Sequence, residues 1–248
     1  MNSIKENREF MKANFNLLEN IETDQQKEIT QPPLEKPADK AAPTIKLPKV
    51  KGDTIKNNDF YRVMKERRSK RKYNNQHMTI EELAFLLWAT QGVDQIKGDN
   101  YATIRPAPSG GARHPFETYL LINNVKDIEP GIYRYLALSH ELQLIKEDDN
   151  FEKHSLDITL GQKFVAKSAV LFIWSCIPYR SEWRYNISAH KTMLLDAGHL
   201  CQNLYLACEA IDWGTCAIAA YNQSLADTLL RLDGDDEFVV YMAAVGKV

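Results

Sequence analysis

An α+β fold is what the sequence predicts, and two observations carry it. Segments with helix start and stop signals stand beside short apolar, β-rich runs, without the strict alternation of βαβ units. A Pro-Gly step at 130–131 announces a hairpin between two such runs. The chain has 248 residues, 44% of them hydrophobic and 26% charged, enough for one large domain.

Taken in order, residues 1–57 read as an extended, Pro-rich arm. "TQPPLEKPADKAAPTIKLPK" holds five prolines among many charges, a composition that does not build a core. Before it, "REFMKANFNLLENI" has the spacing of a short amphipathic helix, with Phe10, Phe15 and Leu18 as anchors. Such an arm is either a loose tail or a strap around a partner subunit. Residues 58–248 then form one domain. "DFYRVMKERRS" is its first helix, with Phe60 and Met64 among the apolar positions. "TIEELAFLLWATQG" is the second. Thr79 and Glu82 form a capping box, and Gly92 is the expected stop. Residues 93–116 read as loop. "FETYLLIN" is a strand, "PGIYRYLA" and "HELQLIKE" pair as the hairpin, and the unbroken apolar run of "SAVLFIWSC" is a buried strand.

The clearest helix is "KTMLLDAGHLCQNLYLACEAI". Leu194, Ala197, Cys201, Leu204, Cys208 and Ile211 recur at steps of three and four, and Leu200 and Ala207 widen the stripe. "GTCAIAAY" continues as a strand or extended loop, "SLADTLLRL" as a short helix capped by Ser224, and "EFVVYMAAVG" as a last buried strand. No internal repeat is visible.

Charge and cysteine usage exclude several classes. A net charge of −2 does not suit a nucleic-acid binder. Cys176, Cys201, Cys208 and Cys216 form no C-x-x-C pair, which argues against zinc and against a disulfide framework. "MNSIKENREFMKANF" has no apolar core of a signal peptide, and the longest apolar runs are too short to span a bilayer as helices. The expected compartment is the cytoplasm.

Four stretches carry candidate chemistry. "KERRSKRKY" (65–73) clusters Arg67, Arg68 and Arg71 around Ser69. Guanidinium groups bind phosphate bidentately and a hydroxyl adds one more bond. The plainer alternative is a solvated basic face. "RPAPSGGARHP" (105–115) places two adjacent glycines where a backbone can approach a ligand closely. It is neither a Walker A loop nor a Rossmann fingerprint, because the glycines precede the strand. In "LLDAGHLCQ", Asp196 and His199 lie at i, i+3, short of a metal ligand set; the better reading is a satisfied histidine on a buried helix. In "WRYNISAHK", Tyr185 beside Arg184 could serve acid–base work, with surface loop residues as the alternative.

The order of these motifs, "RRSKRKY", then "PSGGARHP" before a strand, then "LLDAGHLCQNLYLACEAIDWGTCAIAAY", then "VVYMAAVG", resembles the FMN-dependent nitroreductase superfamily. The likeness is to its SagB-type dehydrogenase branch, which includes oxidases of thiazole- and oxazole-forming peptide pathways. The resemblance implies a mostly antiparallel sheet flanked by helices, in an entwined homodimer with FMN at the subunit interface. It places Arg67, Arg68 and Ser69 on the phosphate and ribityl chain, and Arg71 at the pyrimidine edge of the ring. It places Pro108, Ser109, Gly110 and Gly111 of the other subunit against the ring. Ala217, Ile218, Ala219 and Ala220 pass over the opposite face, with a backbone N–H near the reactive nitrogen. Gln162 and Lys247 are further candidates for the ring and the phosphate.

The resemblance also implies NAD(P)H as electron donor and a small organic acceptor, with neither nucleic acid nor membrane as partner. Azoline-oxidising members of the branch resemble one another in a Lys-Tyr pair that removes a proton. Arg184-Tyr185 stands in that place here, and an arginine is a poor base. A nitroreductase-like oxidoreductase is therefore the leading expectation. The alternatives are an azoline dehydrogenase acting in modified-peptide biosynthesis, a flavin-binding subunit without turnover of its own, and a phosphate-ligand or nucleic-acid binding module built on the basic cluster.

Overall fold

The computed structural model describes residues 3–13, 15–148 and 150–248. Helix α1 (Ile4–Phe10) and a 3-10 turn at Phe15–Asn20 replace the single helix expected over 8–21; Asn14, within that stretch, lies outside the described residues. Strand β1 (Thr44–Lys46) follows, then α2 (Phe60–Glu66) and α3 (Ile80–Gln91). The stretch expected to be loop contains a small hairpin, β2 (Gln95–Lys97) with β3 (Ala102–Ile104). Next come β4 (Phe116–Ile122), β5 (Gly131–Leu136), β6 (Glu141–Glu147), α4 (Phe151–Ile158) and β7 (Val170–Cys176). The chain closes with α5 (Tyr179–Tyr185), α6 (Ala189–Ala210), β8 (Trp213–Ile218), α7 (Gln223–Leu230) and β9 (Phe238–Lys247).

Seven strands make one sheet in the order β1-β6-β5-β4-β7-β9-β8, every pair antiparallel. Both faces are covered. Successive side chains of a strand point to opposite faces. On β7, Val170, Phe172 and Trp174 join Leu83, Leu87, Leu200 and Leu204 of α3 and α6. Leu171 and Ile173 turn the other way, to Ile158 of α4 and Leu230 of α7. That is why "VLFIW" is apolar without a break: a strand in the middle of three layers has no wet face.

The capping box on α3 forms as read. The Thr79 hydroxyl accepts from the Glu82 N–H and the Glu82 carboxylate accepts from the Thr79 N–H. Gly92 ends the helix, but with extended backbone (φ −56°, ψ 147°) rather than in the left-handed region. Helix α7 is capped by Asn222, not Ser224: the Asn222 side chain accepts from the Leu225 N–H, and Ser224 donates to that same side chain. Two apolar positions of α2 are on the surface, Phe60 at 70% and Met64 at 48% exposure, while Val63 is the residue that packs inward. Leu194 also leaves the core, at 50% exposure, although the rest of its stripe on α6 is buried.

The arm lies against its own chain. The Ile29 carbonyl accepts from the Trp183 indole at 2.7 Å, and β1 adds an edge strand beside β6. Between them, residues 36–39 cross a buried polar layer. The Lys36 N–H donates to Glu117, which also pairs with Arg180 at 2.5 Å, and the Lys36 ammonium pairs with Glu237. Glu237 further accepts from Tyr119 and Ser175. The Pro37 carbonyl accepts from Arg134, and the Asp39 carbonyl from Gln143.

Candidate active site

The residues singled out in the sequence gather into two groups on the long helix α6. The first is built at the end of β8. The chain leaving α2 runs beside β8 through a parallel bridge between Ser69 and Thr215, with the Lys70 N–H donating to the Thr215 carbonyl at 3.0 Å. This brings the Ser69 hydroxyl 2.9 Å from the Tyr205 phenol, which also accepts from the Ala217 N–H at 2.9 Å. The Arg67 guanidinium lies over the Tyr205 ring at 5.2 Å, and that of Arg71 over Phe164 at 5.9 Å. Gln162 donates to the Ala220 carbonyl at 2.9 Å. Ile218 is buried in the core, whereas Ala219 and Ala220 are exposed beyond the end of the ladder.

Five cations, Arg67, Arg68, Lys70, Arg71 and Lys72, follow one another here, and among the described residues none is in an ion pair. Arg68 turns back to donate to the Lys65 and Arg67 carbonyls at the end of α2. Lys247 donates to the Asp212 carbonyl at 2.6 Å, to the side of the other groups. Its ammonium titrates lower than usual, chiefly through burial and then through nearby Lys56.

The second group is the glycine loop on the other part of α6. One oxygen of Asp196 accepts from the Ser109 hydroxyl at 2.7 Å and from the Gly110 N–H at 2.9 Å; Ser109 in turn accepts from the His114 N–H. Asp196 is buried, and that burial raises its carboxyl pKa. His199, expected to be buried, is exposed, with its ring 3.7 Å from Asp196. At Gly110 a Cβ would meet the Thr192 methyl, so the loop can lie flat on the helix only without a side chain. Gly111 has φ +60°, and a Cβ there would meet the Tyr185 hydroxyl and, at 3.2 Å, Arg184. Ala112 and His114 also have positive φ, at 53° and 44°, as does Asn186 just after Tyr185, at 43°. Positive φ at non-glycine residues is costly and persists where surroundings over-determine it, a pattern concentrated at functional sites.

"WRY" is thus not loop but the end of α5, and it packs directly on the glycine loop. His114 is uncharged at neutral pH, since burial first and Arg105 second pull its pKa down to about 3. Removing the Asp196 carboxylate leaves two half-buried donors without their acceptor, so Asp196→Ala is expected to cost about 1–2 kcal/mol. Asp196→Asn, which keeps one acceptor oxygen, should recover most of it; urea unfolding of both variants checks this.

A sizeable cavity lies elsewhere. About 550 Å³ opens between Lys49–Gly52, Trp88, Asp94 and the β5–β6 turn. Two of its polar groups are already paired: Trp88 donates to Asp94 at 2.9 Å, and His140 sits between Tyr135 and the Pro48 carbonyl. Sequence reasoning missed Tyr205, although a phenol on an otherwise apolar stripe signals a polar partner. It also gave Asp196 no role.

Comparisons with known proteins bear on the family and the fold. The model of the Nitroreductase family matches residues 64–247. A protein named as a nitroreductase, MJ1384 of Methanocaldococcus jannaschii, is 27% identical over 203 residues, 82% of this chain and 96% of that protein. The trifolitoxin-processing protein TfxB of Rhizobium leguminosarum bv. trifolii is 29% identical over 133 residues, 52% of this chain and 36% of its own length. The microcin B17-processing protein McbC of Escherichia coli is 25% identical over 133 residues, 52% of this chain and 49% of its own. Two solved structures share the fold. One, from Ralstonia eutropha and also named as a nitroreductase, has a TM-score of 0.68 at 22% identity, covering 88% of this chain and 93% of that one. The other is the NADPH:FMN oxidoreductase of Vibrio harveyi in complex with NAD+, with a TM-score of 0.54 at 15% identity, covering 77% and 69%.

Proposed function

The chain belongs to the nitroreductase family, and on that premise we propose that it is an FMN-dependent oxidoreductase reduced by NAD(P)H and reoxidised by a small organic acceptor in a ping-pong sequence. The observation that carries the reading is the run of five cations without an ion pair among the described residues, with Arg67 laid over the Tyr205 ring of the Ser69–Tyr205–Ala217 assembly. Unpaired guanidinium groups beside a hydroxyl fit a phosphate, and the exposed backbone at Ala219–Ala220 fits a flat ring laid across it. FMN would supply the two-electron chemistry. Arg67, Arg68 and Ser69 hold its phosphate end, Arg71 favours negative charge on the ring, and Gln162 orients the Ala220 backbone. Lys247 contributes positive charge from the side. The Ala217 N–H is committed to Tyr205, so the donor to the ring is the backbone further on.

A second copy of the chain completes the site in this reading. Asp196 and Tyr205 are about two and a half turns and roughly 14 Å apart along α6, on opposite faces of the helix. The glycine loop of one copy therefore faces away from its own arginine strip, and Pro108–Gly111 from the partner supplies the other wall. Exposed Phe60, Tyr61 and Met64 on α2 and Leu194 and Leu195 on α6 provide apolar surface for that contact. Tyr185, beside Gly111, is the proton donor to the acceptor. Among the described residues no helix is long and apolar enough to cross a membrane.

An absorbance scan of the purified protein should show a bound flavin, and anaerobic NADH or NADPH should bleach it. A colourless protein that does not take up added FMN contradicts the reading. Arg67→Ala should weaken FMN retention about ten-fold, as loss of a charged hydrogen bond does. The likeness to TfxB and McbC supports a second reading, azoline oxidation in a modified peptide. Arg184 weighs against it, because a guanidinium does not give up its proton to become a base. Azoline oxidation by the wild-type protein, lost in Tyr185→Phe, would favour the second reading.

A further inference from the structure

Two guanidinium groups crowd the outer side of the glycine loop. Arg113 is buried and held between the rings of Tyr101 and Trp183, at 4.8 and 5.5 Å from their centroids. It donates to the Gly111 carbonyl at 3.2 Å and to the Tyr101 carbonyl at 2.6 Å. Arg184 is half-buried over Gly111, donating to the Tyr101 hydroxyl at 3.0 Å. The two are close enough that the charge of Arg184, added to the larger effect of burial, holds Arg113 below the ordinary arginine range.

Rings and carbonyls offset part of the cost of bringing two like charges together out of water, and an anion between them relieves the remaining repulsion. Among the described residues neither arginine has a carboxylate partner. Nearby carboxylates are committed elsewhere: Glu182 to His190 at 2.8 Å, Asp24 to Tyr179 and Lys27, and Asp196 to the loop itself. Arg113 has spent donors on backbone carbonyls and is fixed. Arg184 reaches solvent and keeps donors free.

We infer that Arg184, backed by the fixed charge of Arg113, binds an oxyanion of the electron acceptor, so that the preferred acceptor is an organic acid rather than a neutral molecule. This deepens the oxidoreductase reading and rests on it for the word acceptor; the anion site itself does not need a flavin. Phe15, edge-on to Tyr185 at 5.9 Å, and Tyr101 would flank a flat acid. Arg184 acts here in specificity, and Tyr185 remains the group nearest the loop for proton donation.

Two measurements test it. In calorimetric titration of the purified protein, benzoate should bind and benzamide should not, and Arg184→Gln should weaken benzoate at least about ten-fold while Arg184→Lys keeps part of it. In turnover with NAD(P)H, wild type should prefer 4-nitrobenzoate over its methyl ester in kcat/KM, and Arg184→Gln should remove the preference through KM. Equal use of acid and ester by the wild type, or a preference unchanged in Arg184→Gln, overturns the proposal. So does a change confined to the nicotinamide half-reaction, which would assign the oxyanion to the donor. Benzoate binding through Arg184 without any flavin reduction would leave the anion site standing and remove the oxidoreductase reading instead.

Discussion

Glu117→Gln should unfold the protein roughly 6–20 °C earlier than wild type. Arg180 and Glu117 are 4% and 3% exposed and meet at 2.5 Å. Their neighbourhood holds further charge, since Arg105 lies half-buried nearby and desolvation draws it down to about 10, still protonated at neutral pH. Neutralising Glu117 leaves Arg180 buried without its counter-charge and weakens the acceptor of the Lys36 N–H. Removing one partner of a buried ion pair costs about 3–5 kcal/mol. For a domain of this size each kcal/mol moves the midpoint by about 2–4 °C. The double variant Glu117→Leu with Arg180→Met should lose much less than the single, because an apolar pair of similar volume strands no charge. Differential scanning calorimetry of the three proteins decides it. Equal losses in the single and double variants would mean that packing, not charge, sets the cost. The same measurement reports on the arm, because Lys36 and Pro37 reach this layer from residues before the domain.

The second large effect is expected at the glycine loop. Gly111→Val should reduce turnover at least about 100-fold while leaving the sheet intact by circular dichroism. Gly111 has φ +60°, which costs an L-residue about 1–2 kcal/mol and a β-branched one more. A side chain there also meets Tyr185 and Arg184, so the loop must lift away from both. A shift of about 1 Å in a positioned group is enough for a loss of that size. Gly110→Val should act by a different route, through Thr192, and prise the loop off Asp196. Full turnover in Gly111→Val would remove the loop from the site.

Most elements were legible, and the exceptions have physical reasons. Capping on α3 is local chemistry, and Thr79 with Glu82 shows it plainly. Helices α4 and α5 were not recognised, because a helix of seven or eight residues spans only about two turns of periodicity. The apolar positions Phe60 and Met64 leave the direction of α2 open, because a hydrophobic pattern does not say which apolar face meets the sheet and which is left for another surface. The candidate site was legible as parts. "RRSKRKY", "PSGG" and "WRY" each carry residue types suited to a task, and their order carried the resemblance that the family match bears out.

What the sequence determined by itself was therefore the kind of most elements, the two-sided burial of β7 and the chemical character of each motif, since these depend on neighbours within a few residues. Only the tertiary structure decided which motifs meet. It set Asp196 under Ser109 and Gly110, eighty-six residues away in the chain for Gly110, and made Tyr205 the link between Ser69 and Ala217. It turned the two groups to opposite faces of α6, and it laid the arm into a buried ion layer. Those contacts follow from how helices and strands pack, and packing joins residues whose separation along the chain carries no periodic trace.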